Sequence, residues 1–259
     1  MEDDESRIDT SENCLSHRIF IRHWPRHRIP PATSRLEHDL AHLRSHGFQA
    51  FQLDVLDPSS IKDCVSSLAK WCPSGIGAMV NNAGIVIPGA VEDLSREDLS
   101  KQFEVNVFGL QELTNTIIPT LRNQGWGRIV YISSIFGVLT APMAGGYCAS
   151  KYALEALANA QRMELRSSGV ALSLIEPGVI RSNLRSNAMK KLQNKLSTKD
   201  HFHSEYKQTL KKQSASNHQA GQRMQSPEIV ARKGSPRNSQ QPAKEKIFCD
   251  QRGTTWHHS

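Results

Sequence analysis

The 259-residue chain has no glycine before Gly47, although 16 follow from there on. Backbone that passes close to a phosphate, or turns through positive φ, normally relies on glycine, so the first 46 positions offer no glycine-rich phosphate cradle. No run of 18 apolar residues occurs, so no membrane-spanning helix is expected. The opening MEDDESRIDTSENC is acidic and polar and carries no apolar segment of secretory type. Five cysteines (Cys14, Cys64, Cys72, Cys148 and Cys249) are too irregularly spaced for a metal knuckle. They read as ordinary thiols of a reducing compartment, which predicts a cytoplasmic protein. His201 and His203 have no carboxylate or cysteine cluster beside them, so no metal site is expected.

The net charge of +7 is a property of one end. Residues 1–46 carry 7 basic and 8 acidic side chains, residues 47–179 carry 9 and 12, and residues 180–259 carry 16 and 5. The basic excess thus belongs to the tail, with no interleaved aromatics on which bases could stack, and no specific nucleic-acid partner is expected.

From residue 47 the pattern alternates strand and helix. Strands are predicted at about 49–53, 77–81, 128–133 and 171–175. Helices are predicted from the Asp-Pro-Ser start at Asp57, from Ser95 to about 124, and over 147–168. Such alternation predicts an α/β, doubly wound parallel sheet of Rossmann-like type covered on both faces.

Chemistry concentrates in RIVYISSIFGVLTAPMAGGYCASKYALEAL. Tyr147 and Lys151 are four apart and share a helix face. A free phenol, with a pKa of about 10, is a poor acid–base group at neutral pH. A lysine cation alongside favours the phenolate, and a serine hydroxyl can share a carbonyl oxygen with it. Ser134 ends an apolar run thirteen residues before Tyr147, and that spacing favours it over Ser133. NNAG (Asn81 to Gly84), NVFG (Asn106 to Gly109) and the Pro177-Gly178 pair follow other strands or sit in the long helix. The ordered set resembles the short-chain dehydrogenase/reductase family in its single-domain form, continuously over about residues 47–180.

The resemblance implies an NAD(P)-dependent oxidoreductase, a carbonyl reductase that interconverts an alcohol with an aldehyde or ketone. Tyr147 would be the acid/base, Ser134 would orient the carbonyl, and Lys151 would lower the tyrosine pKa and hold the nicotinamide ribose. Asn106 would kink its helix and hold a relay water. Asp54, Asn81, Ala83, Gly84, Pro177, Gly178, Ile180 and Ser182 would line the cofactor site, with NADP mildly preferred to NAD. Asp54 reads equally as a residue that merely precedes a helix. Cys148, beside Tyr147 but without a base, reads as packing. The implied substrate is a small apolar carbonyl or alcohol, covered by a segment at about 183–225 whose Leu184, Met189 and Leu192 have rough helical spacing. That segment reads equally as a surface helix. Homo-oligomerisation is implied through helices 95–124 and 147–168.

Both ends depart from the family pattern. Residues 1–46 lack the first strand and its glycine-rich turn, and offer HRIFIRHWPRHRI, which has no strand period. The second strand, which should read the ribose, is not recognisable, and 231–259 is a basic tail without period. The family-like domain is therefore set at 47–230. Read one nucleotide out of frame, codons available to IFIRHWPRHRI encode Ser-Ser-Ser-Gly-Ile-Gly-Arg-Ala-Ile-Ala, the missing turn and its helix. RKGSPRNSQQPAKEKIFCD likewise yields an ending with Pro-Lys-Lys-Arg-Tyr. A frame-shifted gene and an unusual terminal extension both remain open. The alternative to an enzyme is a defective remnant that retains the fold and its association surface.

Overall fold

A computed structural model describes residues 18–21, 31–180, 182–194, 201–219 and 246–249. Seven strands form one sheet in the order β3-β2-β1-β4-β5-β6-β7. These are β1 (Arg18–Ile21), β2 (Ala32–Ser34), β3 (Ala50–Gln52), β4 (Ile76–Asn81), β5 (Gly127–Ile132), β6 (Val170–Pro177) and β7 (Lys246–Cys249). The helices are α1 (Glu37–Ser45), α2 (Pro58–Trp71), α3 (Arg96–Phe103), α4 (Gly109–Gln124), α5 (Gly145–Glu164), α6 (Asn183–Asn194) and α7 (His203–Gln219). Among the described residues no helix is long and apolar enough to cross a membrane.

The α/β expectation holds, and the β4–β6 strands fall close to the predicted positions. One expectation needs correction. The slot beside β4, expected to be missing its strand, is filled by Arg18–Ile21, which runs antiparallel to both β2 and β4. Its four residues pair Arg18 with Val80 and Ile21 with Ile76, with a register break between Phe20 and Ile21. All other pairings in the sheet are parallel. Upstream of residue 47, β2 also joins the sheet and α1 packs beside it, and in the tail β7 pairs with β6. Neither β2 nor β7 was announced by a period: both are short, and a two-residue alternation needs more length to show.

Local chemistry explains the helix starts. The Asp57 carboxylate accepts from the backbone N–H of Ser59 at 2.9 Å, and Pro58 occupies the first helical position of α2, where its missing N–H costs nothing. Ser95 and Asp98 form a reciprocal capping box at α3. The 95–124 helix is continuous but not uniform: Glu104–Phe108 winds as a π-turn between α3 and α4. Gly109, just beyond, is there for packing, because a Cβ at that position would stand 2.2 Å from the Val55 carbonyl oxygen.

The core is unequal on the two sides of β4. The large cluster joins α2, α4 and α5 to β4, β5 and β6 through residues such as Ile61, Leu68, Met79, Leu113, Ile117, Tyr131, Leu154 and Leu174. A small satellite of Ala32, Leu40, Leu43, Phe48 and Ala50 holds β2, α1 and β3. By area alone the large cluster supplies most of the hydrophobic stabilisation.

Candidate active site

β4, β5 and β6 run parallel, so Asn81, Ile132 and Pro177 end at the same edge of the sheet. Ligands of open α/β sheets bind outside such an edge. Ser134 follows β5 there, and the turn Ile135–Gly137 begins with the Ser134 hydroxyl accepting from the Phe136 N–H at 3.2 Å. The helix α5 starts across from it and brings the Tyr147 phenol near enough to Ser134 for the serine hydroxyl to stabilise its charged form. The Phe136 ring meets Tyr147 edge-on at 6.2 Å. Ser133 points elsewhere: its buried hydroxyl lies on the Gly137 side, close to Glu155.

Lys151 is one turn further along α5, buried, with its ammonium donating to the Ile132 carbonyl at 2.8 Å and lying 5.9 Å from the centre of the Tyr147 ring. The π-turn carries Asn106 into the same place. Its amide donates to the Ile85 carbonyl at 3.0 Å and to the Ser150 hydroxyl at 3.0 Å, and its oxygen accepts from the Ile85 N–H at 2.8 Å. Ser150 donates onward to the Tyr147 carbonyl at 2.7 Å. An extra residue in a helical turn swings a side chain off the regular face, which is how Asn106 reaches the strand-end loop.

Electrostatics are set by burial. Desolvation pushes the Tyr147 phenol up to about 12, and the Ser134 hydrogen bond opposes it only in part. Burial brings the Lys151 ammonium down to about 8, against a raising influence of the Glu155 carboxylate. The expected depression of the phenol by Lys151 is therefore not the dominant effect in this pocket. The ammonium lies 5.9 Å from the ring centre, and desolvation is the largest influence on the phenol.

The remaining expected residues divide. Gly84 faces the centre: a Cβ there would stand 3.5 Å from the Asn106 side-chain oxygen and 4.0 Å from the Lys151 ammonium. Ala83 is buried in the main core cluster behind it. Asn81 turns away, its amide donating at 2.8 Å to Thr114 of α4, where the Tyr131 phenol also donates at 2.8 Å. Asp54 is engaged in its own turn, accepting from the Leu56 N–H at 3.0 Å while its N–H donates to Ser60. Pro177 closes β6, Gly178 and Ile180 are half-buried beyond it, and Ser182 is exposed. Cys148 is buried, consistent with packing.

Sequence reasoning missed three features. Tyr206 of α7 is buried, and its hydroxyl accepts from the Ala90 N–H at 2.8 Å and donates to the Asp93 carboxylate. A lone tyrosine inside the polar run HSEYKQ was the available signal. Met143 adopts φ 64°, a left-handed conformation that costs a side-chain-bearing residue, and Gly89 holds it by donating to its carbonyl at 3.0 Å. Together with Met189, Leu192, Phe202 and Leu210 these residues form an apolar cluster beside the start of α5. The third is Arg35, exposed at the carboxyl end of β2, next to Ser34, whose hydroxyl donates to Asp39 at 2.9 Å.

Comparison with known proteins follows the same lines. A family model described as short chain dehydrogenase matches residues 30–193. The chain is 38% identical over 156 residues to the uncharacterized oxidoreductase YbbO of Escherichia coli (strain K12), covering 60% of this chain and 58% of that protein. It is 36% identical over 146 residues to the NADPH-dependent 3-dehydrocapnine reductase of Ornithobacterium rhinotracheale, covering 54% of this chain and 52% of that one. A crystal structure of a short-chain dehydrogenase from Streptomyces avermitilis superposes with a TM-score of 0.55 at 33% identity, over 59% of this chain and 57% of the other. The chain thus spans less than two thirds of the length of these relatives.

Proposed function

This chain belongs to the short-chain dehydrogenase family, and from that premise we propose that it is an NAD(P)-dependent oxidoreductase that reduces an apolar aldehyde or ketone to the alcohol. The observation that carries the reading is the buried contact between Ser134 and Tyr147 with Lys151 one turn behind, at the carboxyl edge of the sheet.

The chain's residues divide the work as follows. Ser134 holds the substrate oxygen beside Tyr147. The Tyr147 phenol, kept protonated at neutral pH by its burial, donates its proton to that oxygen. A protonated phenol is the form reduction needs, which favours that direction. Lys151 spends one N–H on Ile132 and has two more with which to hold a ribose. Asn106 fixes the loop at Ile85 and, through Ser150, the first turn of α5. A nicotinamide, when bound, supplies the hydride. Gly84, next to Asn106 and Lys151, carries no side chain to crowd the nicotinamide half of such a cofactor. Arg35 at the end of β2, with Asp39 already engaged by Ser34, supports NADP, since an arginine there suits a 2′-phosphate. The name of the Ornithobacterium relative agrees.

The pyrophosphate half does not fit. Its cradle should follow β1 at the site's edge, but β1 starts opposite Val80 and ends opposite Ile76, so the chain leaves it at the far edge. This favours a second reading, a remnant that keeps the fold and its association surface. That surface is the apolar display of Leu99 and Phe108 on the α3–α4 helix and of Tyr152, Leu157 and Met163 on α5, where we infer that a second copy docks. The free cysteines Cys64, Cys72 and Cys148 support a reducing cytoplasm.

The test is Tyr147→Phe, assayed by NADPH-dependent reduction of a hydrophobic aldehyde. Turnover should fall on the order of 10² to 10⁴-fold with cofactor binding kept. Unchanged turnover would move the chemistry elsewhere, and no turnover in the parent at millimolar NADPH would favour the remnant.

A further inference from the structure

We propose that Glu155 is the counter-ion of Lys151, a positioning residue that keeps the ammonium charged behind Tyr147 and thereby sets the alkaline limit of the site. The consequence for turnover rests on the acid–base reading above; the electrostatic role itself does not.

Tyr147, Lys151 and Glu155 are spaced four and four along α5 and form one stripe of its inward face. All three are buried, with 8%, 4% and 5% of their surfaces exposed. A buried ammonium needs a charge partner or it gives up its proton, because desolvation penalises the ion and not the amine. The hydrogen-bond partner of Lys151, the Ile132 carbonyl, is neutral, and so are the Asn106 side chain and the Gly84 backbone that lie nearby. Ser133 and Ser134 on the β5 side are neutral as well. On its own helix Lys151 has Tyr147, whose burial keeps the phenol protonated at neutral pH, and Glu155.

Glu155 is held where it can act. Gly137, in the turn that positions Ser134, closes over it: a Cβ there would stand 2.9 Å from the Glu155 Cγ, 3.3 Å from Oε1 and 2.9 Å from the Ser133 hydroxyl. The carboxylate is thus clamped beneath the turn that carries the site's serine, one helical turn behind Lys151. Its charge opposes the effect of burial on Lys151. Among the described residues one further acid is buried. Glu176 of β6, buried, follows Ile175, which pairs with Ile132; by strand alternation it shares a sheet face with Tyr131 and Leu174.

The sign of the effect follows directly. Without Glu155 only burial acts on Lys151, so its proton leaves at lower pH and the alkaline limb of activity moves down with it. The experiment is an NMR titration of the Lys151 Cε resonance in the ¹³C-lysine-labelled full chain, assigned with Lys151→Arg. The parent should titrate near 8. Glu155→Gln should lower the midpoint by about one unit or more, and Glu155→Asp, which keeps the charge one methylene further away, by less. If Glu155→Gln does not fold, the Glu155→Asp displacement carries the test. A midpoint unmoved in either variant, or a larger displacement in Glu176→Gln than in Glu155→Gln, overturns the proposal. Because the titration needs no cofactor and no turnover, an inactive chain would refute the acid–base reading without touching this result.

Discussion

The sheet is built differently on the two sides of β4. Toward β5 and β6 the strands are parallel and long, a large core backs them, and Ser134, Tyr147, Lys151 and Asn106 meet at their carboxyl edge. Toward β1 a four-residue strand runs the wrong way, and a small satellite core holds β2, β3 and α1 beyond it. The difference separates two functions that one fold normally combines. In the proposed function, proton transfer would draw on the first side and the cradling of a dinucleotide on the second. A chain can therefore keep its chemistry assembled while losing its grip on the cofactor.

Core truncations probe that contrast most strongly. Leu113→Ala, in the large cluster with no exposed surface, should cost near the upper end of the usual range, about 5 kcal/mol, since dense neighbours cannot collapse into the space. Leu40→Ala, in the satellite, should cost nearer 2 kcal/mol, because a thin layer relaxes more easily. Urea unfolding of both variants checks the order, and a larger loss for Leu40→Ala would break the comparison. The smallest effect belongs to the helix cap on the site's side. Ser95→Ala removes one half of the capping box and should cost about 1 kcal/mol without altering turnover. A loss of activity beyond that of stability would show that α3 does more than support the π-turn.

Legibility in the sequence followed the same divide. Tyr147, Lys151 and Ser134 were readable because their spacing fits one helix face and one strand end. The strands around them were readable because β4 to β6 are apolar runs. On the other side the signal failed for physical reasons. β1 has four residues and no alternation, and β2 has three. The apolar positions of α1, Leu40 and Leu43, are drowned by His and Arg neighbours. Single-residue roles were hardest to see. Gly109 reads as a motif glycine but is dictated by the Val55 carbonyl, and Asn81 reads as a ligand residue but satisfies Thr114. Glu155 and Tyr206 belong to no motif; beyond a helical spacing for one and a polar setting for the other, it is their burial that singles them out.

The proposed acid–base residues lie together at one edge of the sheet, whereas the first 46 residues hold no glycine for a pyrophosphate cradle. Fluorescence titration of this chain with NADPH tests that contrast most directly. β1 runs antiparallel to β4 and ends opposite Ile76, and the sequence holds no glycine before Gly47 with which to build a close turn around a pyrophosphate. The account predicts no saturation below millimolar NADPH, and recovery of binding when residues 19–29 are replaced by the glycine-rich sequence read from the shifted frame. Saturation of the unaltered chain at micromolar NADPH would contradict it.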